Sequence, residues 1–284
     1  MNKFARKRHT EEKIMKAVMF ASAAIVLAAV ASIIVTIVVK GLGSLSWDMI
    51  TKAPGKNWNT ADDGGFLNAI IGSFWIVIPS SVIGALISIP VVFYITLYRR
   101  RSSRFSYIAR LCFDVLYGIP SIVYGAFAFM IMVYIGMRAS VLGGIVVTTM
   151  LVVPIMIRSG DEIAKSVPDD LIDAVYSLGA TKWETLKVVL RLVLPGMMTA
   201  FLLAIGKAIG DAAAVMFTAG FSDNIAKSLA SPTATLPLAI FNWVSMPDPF
   251  PGRAYAAALV LTVIVLLLSL GSRWFTARFR KKNL

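Results

Sequence analysis

Three ionisable side chains stand where an apolar sequence has least reason to carry them. Lys207 and Asp211 fall inside the apolar run 203–213, and Arg158 closes another at 141–157. An ionisable group within a membrane-spanning segment is costly and faces either a water-filled cavity or a partner. With helical periodicity, Lys207 and Asp211 are i and i+4, which puts them on one face within pairing reach. Two readings are open: a neutralised structural ion pair, or the charged lining of a path for an anion. Arg158 adds a planar fork of donors suited to an oxyanion. Asp114 lies in or near a span and reads equally well as an interfacial residue.

Other chemistry is excluded by inventory. The sequence has one histidine, His9, in a basic tail where it is solvated, and one cysteine, Cys112, read as a small buried hydrophobe. No intrachain disulfide, metal cluster, Ser-His-Asp set or Cys-His pair can be assembled from these, and no cofactor motif is present. There is also no Gly-x4-Gly-Lys-Ser/Thr loop to hold nucleotide phosphates. The formal net charge of +13 would raise nucleic acid in a soluble protein. A basic surface interleaved with aromatics is missing, so nucleic acid is not a partner.

The elements that must position these residues are membrane helices. Hydrophobic residues make up 58% of the chain and charged residues 15%, with mean hydropathy +0.78, against roughly half and a quarter in soluble domains. The apolar excess lies in long charge-free runs, and a spanning helix needs about 20 such residues. The fold class is an all-α polytopic membrane protein with six transmembrane helices, at 17–39, 66–97, 111–136, 141–157, 196–220 and 254–275. The first run outlasts a signal-peptide core and ends in Lys40-Gly41-Leu42-Gly43, so it reads as a retained helix. Pro79, Gly84 and Pro90 are candidate kinks in the second span. Gly206 and Gly210 read as a small-xxx-small packing pattern. Of 28 Lys and Arg, 21 fall on the side shared by both termini, which makes that side cytoplasmic and the neighbouring lipid a partner. Trp47, Trp58 and Trp243 read as headgroup-depth anchors. The organisation is 1–65, holding tail, first helix and outer loop, and 66–284, holding a core with a cytoplasmic loop at 158–195 between spans four and five.

That loop has a local logic. Pro168 followed by Asp169 and Asp170 is a good helix start, because the ring tolerates the first turn and carboxylates favour the positive dipole end. Leu171, Ala174, Val175 and Leu178 recur at helical spacing. Gly179 permits the turn out, and Thr181 with Glu184 forms a capping-box pattern for a second helix. The segment is either an interfacial helix lying on lipid or a coupling helix that docks on a cytoplasmic motor.

Asp173-Ala174-Val175, then Leu178-Gly179-Ala180, then Leu194-Pro195-Gly196 resemble the E-A-A-x-x-x-G loop of bacterial ABC importer permeases. Asp173 replaces Glu, Val175 replaces the second Ala, and the proline falls late. The resemblance implies that Asp173, Ala174, Val175, Leu178, Gly179 and Ala180 engage an ATPase subunit. Four further stretches are similar to the phosphate permease pair, its A-type subunit more than its C-type: 64–73, Gly118-Ile119-Pro120-Ser121-Ile122-Val123-Tyr124-Gly125, 203–213, and 236–242 with Pro247-Asp248. This likeness runs from about residue 60 onward. It implies a second, C-type permease, two ATP-binding subunits and an extracytoplasmic phosphate-binding protein as partners, and that the chain itself is not an enzyme. In that family the positions of Lys207 and Asp211 usually carry Arg and Glu. On that likeness Lys207 would supply field and Asp211 would accept a hydrogen bond from protonated phosphate, a bond that sulfate, unprotonated near neutral pH, could not make. A permease for another oxyanion such as phosphonate or molybdate is the alternative. A self-contained channel or secondary carrier, or a membrane-embedded enzyme, stands further off.

Overall fold

The computed structural model describes residues 3–55, 64–98, 103–247 and 250–282. Its elements are α1 (Lys3–Ser44), α2 (Trp47–Thr51), α3 (Leu67–Phe93) continued by a π-helical turn (Tyr94–Tyr98), and α4 (Arg104–Gly118). There follow α5 (Ser121–Tyr134), α6 (Val141–Lys165), α7 (Asp169–Ser177), α8 (Lys182–Ile209), α9 (Leu236–Val244) and α10 (Phe250–Lys282). Among the described residues the only β pairing is an isolated bridge between Pro54 and Gly64. Among the described residues five helices are long and apolar enough to cross a membrane, and α4 with α5 would be a bent sixth if the pair is one span.

The centre of the core is α6. It is 67% buried over its apolar window, whereas the window of α1 is 0% buried, so α6 carries the packing and α1 stands outside it. Around α6 lie α3, α4, α5 and α8, with α10 against α8. Val92, Val147, Val152, Met156, Ile157 and Val189 are almost fully enclosed between them. A second cluster joins Phe66 to Leu236, Trp243 and Phe250, seating α9 on α3 and α10. Residues 11–36 of α1 are exposed throughout. Its last turns pack on α10, where Lys40 sits over the Tyr255 ring at 4.8 Å.

In lipid, helices gain from close backbone approach more than from hydrophobicity, and two glycines show this. A Cβ at Gly72 of α3 would stand 2.0 Å from the Ala234 carbonyl oxygen, and one at Gly125 of α5 would stand 2.6 Å from that of Ala214. Both contacts bring the segment between α8 and α9 down onto the core.

Several sequence expectations are corrected. Span three is not one helix: α4 and α5 meet at 95°. Pro120 has no N–H to continue the ladder and drives Ile119 out of the helical region; Ile119 takes φ −71°, ψ 130°. Span five ends at Ile209, not at 220, and begins at Lys182, with Pro195 inside it. Consequently the ends of the 158–195 segment belong to α6 and α8, and only α7 and its flanking turns lie between. Cys112 is exposed, on the outer face of α4. Trp243 is buried against Phe66, 6.2 Å between centroids, because α9 folds inward. Trp47 is exposed, and Trp58 and the side chain of His9 lie outside the described residues. Gly206 has open space beside it and Gly210 meets only its own helix backbone, so neither is a packing contact within this chain. Pro79 and Pro90 sit inside α3, with the π turn opening four residues after Pro90.

Candidate functional site

Lys207 and Asp211 form no ion pair. Gly210 closes α8, so Asp211 is past the helix, and the i,i+4 face that would join them does not exist. Asp211 Oδ1 instead accepts from the Ala214 N–H at 2.9 Å, stabilising the turn that ends the helix. Its carboxylate borders a small enclosed cavity with Ser73, Thr148 and Thr235. Lys207 is exposed and its ammonium lies over the Tyr117 ring, 5.2 Å from the centroid. Such a contact contributes roughly 0.5–1 kcal/mol at an exposed site.

Arg158, on α6, is tied to α4. Its Nη1 bonds Asp114 Oδ1, and its Nε donates to Glu162 Oε1 at 3.2 Å. Asp114 is therefore an ion-pair partner across helices. Asp114 and Tyr117 are three residues apart on α4, hence neighbours on one helical face. That face consequently carries both Arg158 and Lys207, just before the break at Ile119–Pro120. Two of the three residues singled out from sequence thus converge, and Asp211 is not among them.

Beside this pair lies a denser cluster that sequence patterns alone do not reveal. Asp161, 3% exposed, accepts from Arg110 Nε at 3.0 Å and Nη2 at 3.1 Å, and from the Thr96 hydroxyl at 2.9 Å. Lys165 Nζ reaches the same carboxylate at 2.5 Å. Arg110 Nη2 also donates to the Ile95 carbonyl at 3.3 Å. The group therefore fastens the π turn after α3, α4 and α6 together. With Arg158, Asp114 and Glu162 it lines a cavity of about 190 Å³, in which three cations face three carboxylates. The i,i+4 spacing of Asp161 and Lys165 is a readable signal; the reach of Arg110 across helices is not.

In the loop, Asp169 and Asp170 open α7 after Pro168 as its N-cap. Gly179 takes φ +83°, the left-handed conformation the turn requires. Thr181 and Glu184 complete a reciprocal capping box at α8, with the Thr181 N–H donating to Glu184 Oε2 at 2.8 Å. Ile172 packs on the core and Val175 is half-buried, while Asp173, Ala174 and Leu171 are exposed and Ala180 is intermediate. Leu178 is 88% exposed, too much for a side chain whose partner is this chain. Among the described residues no group of His, Cys, Asp and Glu is placed to hold a metal ion.

Residues 80–282 match the family described as binding-protein-dependent transport system inner membrane component. The chain is 32% identical to the phosphate transport system permease protein PstA of Haemophilus influenzae, over 94% of each chain. It is 34% identical to that of Yersinia pestis, over 87% of this chain and 83% of that one. It is 29% identical to the probable ABC transporter permease protein YqgI of Bacillus subtilis, over 97% and 98%. In fold it is similar to a solved inward-facing structure of the MetNI methionine ABC transporter. There the TM-score is 0.62 and the identity 16%, covering 75% of this chain and 95% of that one.

Proposed function

The chain belongs to the family of inner membrane components of binding-protein-dependent transport systems, and on that premise we propose that it is the A-type permease half of an ATP-driven phosphate importer. It lies in the inner membrane with both termini cytoplasmic, the side that carries most of its Lys and Arg. A C-type permease completes the path, two ATP-binding subunits supply the energy, and an extracytoplasmic phosphate-binding protein delivers the anion. Residues 66–284 form the permease core, and 1–65 supply the tail, first helix and outer loop.

The observation that carries an anion path is the face of α4 on which Asp114 takes Arg158 and Tyr117 takes Lys207, beside the broken span. Among the described residues Lys207 has no carboxylate partner, so its charge is available to an oxyanion. A helix interrupted within the membrane is a place where backbone polarity is spent on a substrate or ion. Asp211 keeps its second carboxylate oxygen as an acceptor for a protonated oxyanion, which distinguishes phosphate from sulfate. The exposed Leu171 and Leu178 of the α7 segment, with Asp173, Ala174, Val175, Gly179 and Ala180, make the surface that docks on an ATP-binding subunit.

The test is uptake by the assembled transporter in liposomes supplied with binding protein. Lys207→Ala should lower phosphate uptake at least about tenfold, a transition-state loss of roughly 1.4 kcal/mol or more. If Lys207→Ala and Asp211→Ala both leave uptake intact, these residues do not line the path. If phosphonate or molybdate, and not phosphate, stimulates ATP hydrolysis, the substrate assignment is replaced while the permease role stands.

A further inference from the structure

Where α3 gives way to its π turn, an open groove of about 440 Å³ runs between α3 and α4. Its walls are Pro90, Val91, Tyr94, Ile95, Phe105, Ala109 and Phe113, without a charged group. The volume is within the range of about 300–1,000 Å³ typical of ligand sites. An aromatic cluster closes one end. Tyr94 stacks on Tyr98 at 5.5 Å and meets Phe105 edge-on at 6.0 Å.

That end is positively charged. Lys182, the first residue of α8, places its ammonium 4.9 Å from the Tyr98 ring centroid. Arg104, exposed, opens α4 directly beside Phe105. The α4 N-terminus has no acidic residue in its first turn, and Ser103 makes no side-chain cap. Its unsatisfied N–H groups therefore add to the positive field. An apolar trough ending in cations is the complement of an amphiphile with an anionic head.

We propose that this groove is a binding site for an anionic phospholipid. One acyl chain lies along Val91, Ile95 and Ala109, and the phosphate is met by Arg104, Lys182 and the start of α4. A protein partner seated here would have to neutralise the same cations, whereas a phospholipid brings both the chain and the charge. Because Lys182 begins the helix that leads out of the α7 turn, the lipid also touches the base of the loop. The site stands apart from the substrate assignment, since none of its residues is on the proposed path.

The experiment takes the chain with its co-purifying subunits into nanodiscs of phosphatidylcholine doped with phosphatidylglycerol, then counts the lipids retained after detergent exchange by native mass spectrometry. One phosphatidylglycerol per copy of this chain is expected to survive preferentially. Each basic residue near a membrane surface contributes about 1 kcal/mol toward anionic lipid, or about fivefold, so Arg104→Gln with Lys182→Gln should reduce retention about 25-fold. Ala109→Trp should abolish it by filling the groove. Arg104→Gln alone, at an exposed position outside the core, guards against a folding defect in the tryptophan variant. Equal retention of phosphatidylcholine, or unchanged retention in the Gln variants, overturns the proposal. So does a Phe105→Cys cross-link that captures a protein subunit in place of lipid.

Discussion

Replacing Asp161 by Asn is the sharpest probe of what holds this bundle together. The carboxylate takes two guanidinium N–H groups from Arg110, the Thr96 hydroxyl and the Lys165 ammonium. The side chain of Arg110 is 16% exposed and that of Lys165 42%, so only Arg110 is stranded when the charge goes. Breaking a buried pair from one side costs about 3–5 kcal/mol. Partial exposure of Arg110 and the amide oxygen that Asn keeps for Thr96 place Asp161→Asn at the low end, about 3 kcal/mol. Replacing both partners, Arg110→Met with Asp161→Leu, removes the stranded charge and should cost less than either single change. Because the double loss is then smaller than either single loss, the coupling energy from the double-mutant cycle should be at least about 3 kcal/mol, read from denaturant unfolding midpoints of the purified complex. Additive losses in the double variant would show that the cluster is not a unit and that α4 is held to α6 without it.

Two further outcomes are set by individual contacts. Gly72→Ala drives a methyl against the Ala234 carbonyl, 2.0 Å away; overpacking of this kind costs typically 1–3 kcal/mol, so assembled complex should fall in yield and thermal midpoint, and a wild-type midpoint would discount the close approach of α3 to the segment before α9. Leu178→Asp alters a side chain that this chain leaves 88% exposed, so the fold should be unchanged by circular dichroism while substrate-stimulated ATP hydrolysis falls at least about tenfold, a coupling loss of roughly 1.4 kcal/mol; hydrolysis at the wild-type level would remove α7 from the docking surface.

What is legible in the sequence is whatever depends on neighbours along the chain. Hydropathy marks the five long helices and the bent pair, and the α7 start, the left-handed Gly179 and the Thr181–Glu184 box are all local chemistry. The departures have physical causes that hydropathy does not register. Ile119 and Pro120 are as apolar as their neighbours, so span three reads straight through a break that only the missing proline N–H creates. Asp211 reads as part of a helix that Gly210 ends, since an apolar run of Ala and Val continues past it with no change of composition. The cross-helix partners of Arg158 and Arg110, Asp114 and Asp161, are 44 and 51 residues away. No periodicity reports contacts at that separation.

Arg158 shows how one such distant partner changes a functional expectation. On the proposed path its guanidinium would meet an oxyanion, yet Nη1 is already bonded to Asp114 and Nε to Glu162, one nitrogen on each edge of the fork. An arriving phosphate must therefore compete with a carboxylate for the same fork. Competition of this kind lowers affinity, and conduction requires binding weak enough to leave as well as favourable enough to enter. Asp114→Asn removes one competing charge without removing the fork. Both side chains are about two-fifths exposed, where an ion pair contributes about 0.2–1 kcal/mol, so the gain in phosphate affinity should be about 1.4- to fivefold. Uptake should then show a lower KM with a lower maximal rate, because release becomes slower. A raised KM, or no change in either quantity, would mean that the Asp114–Arg158 pair orients α4 and does not compete with the substrate.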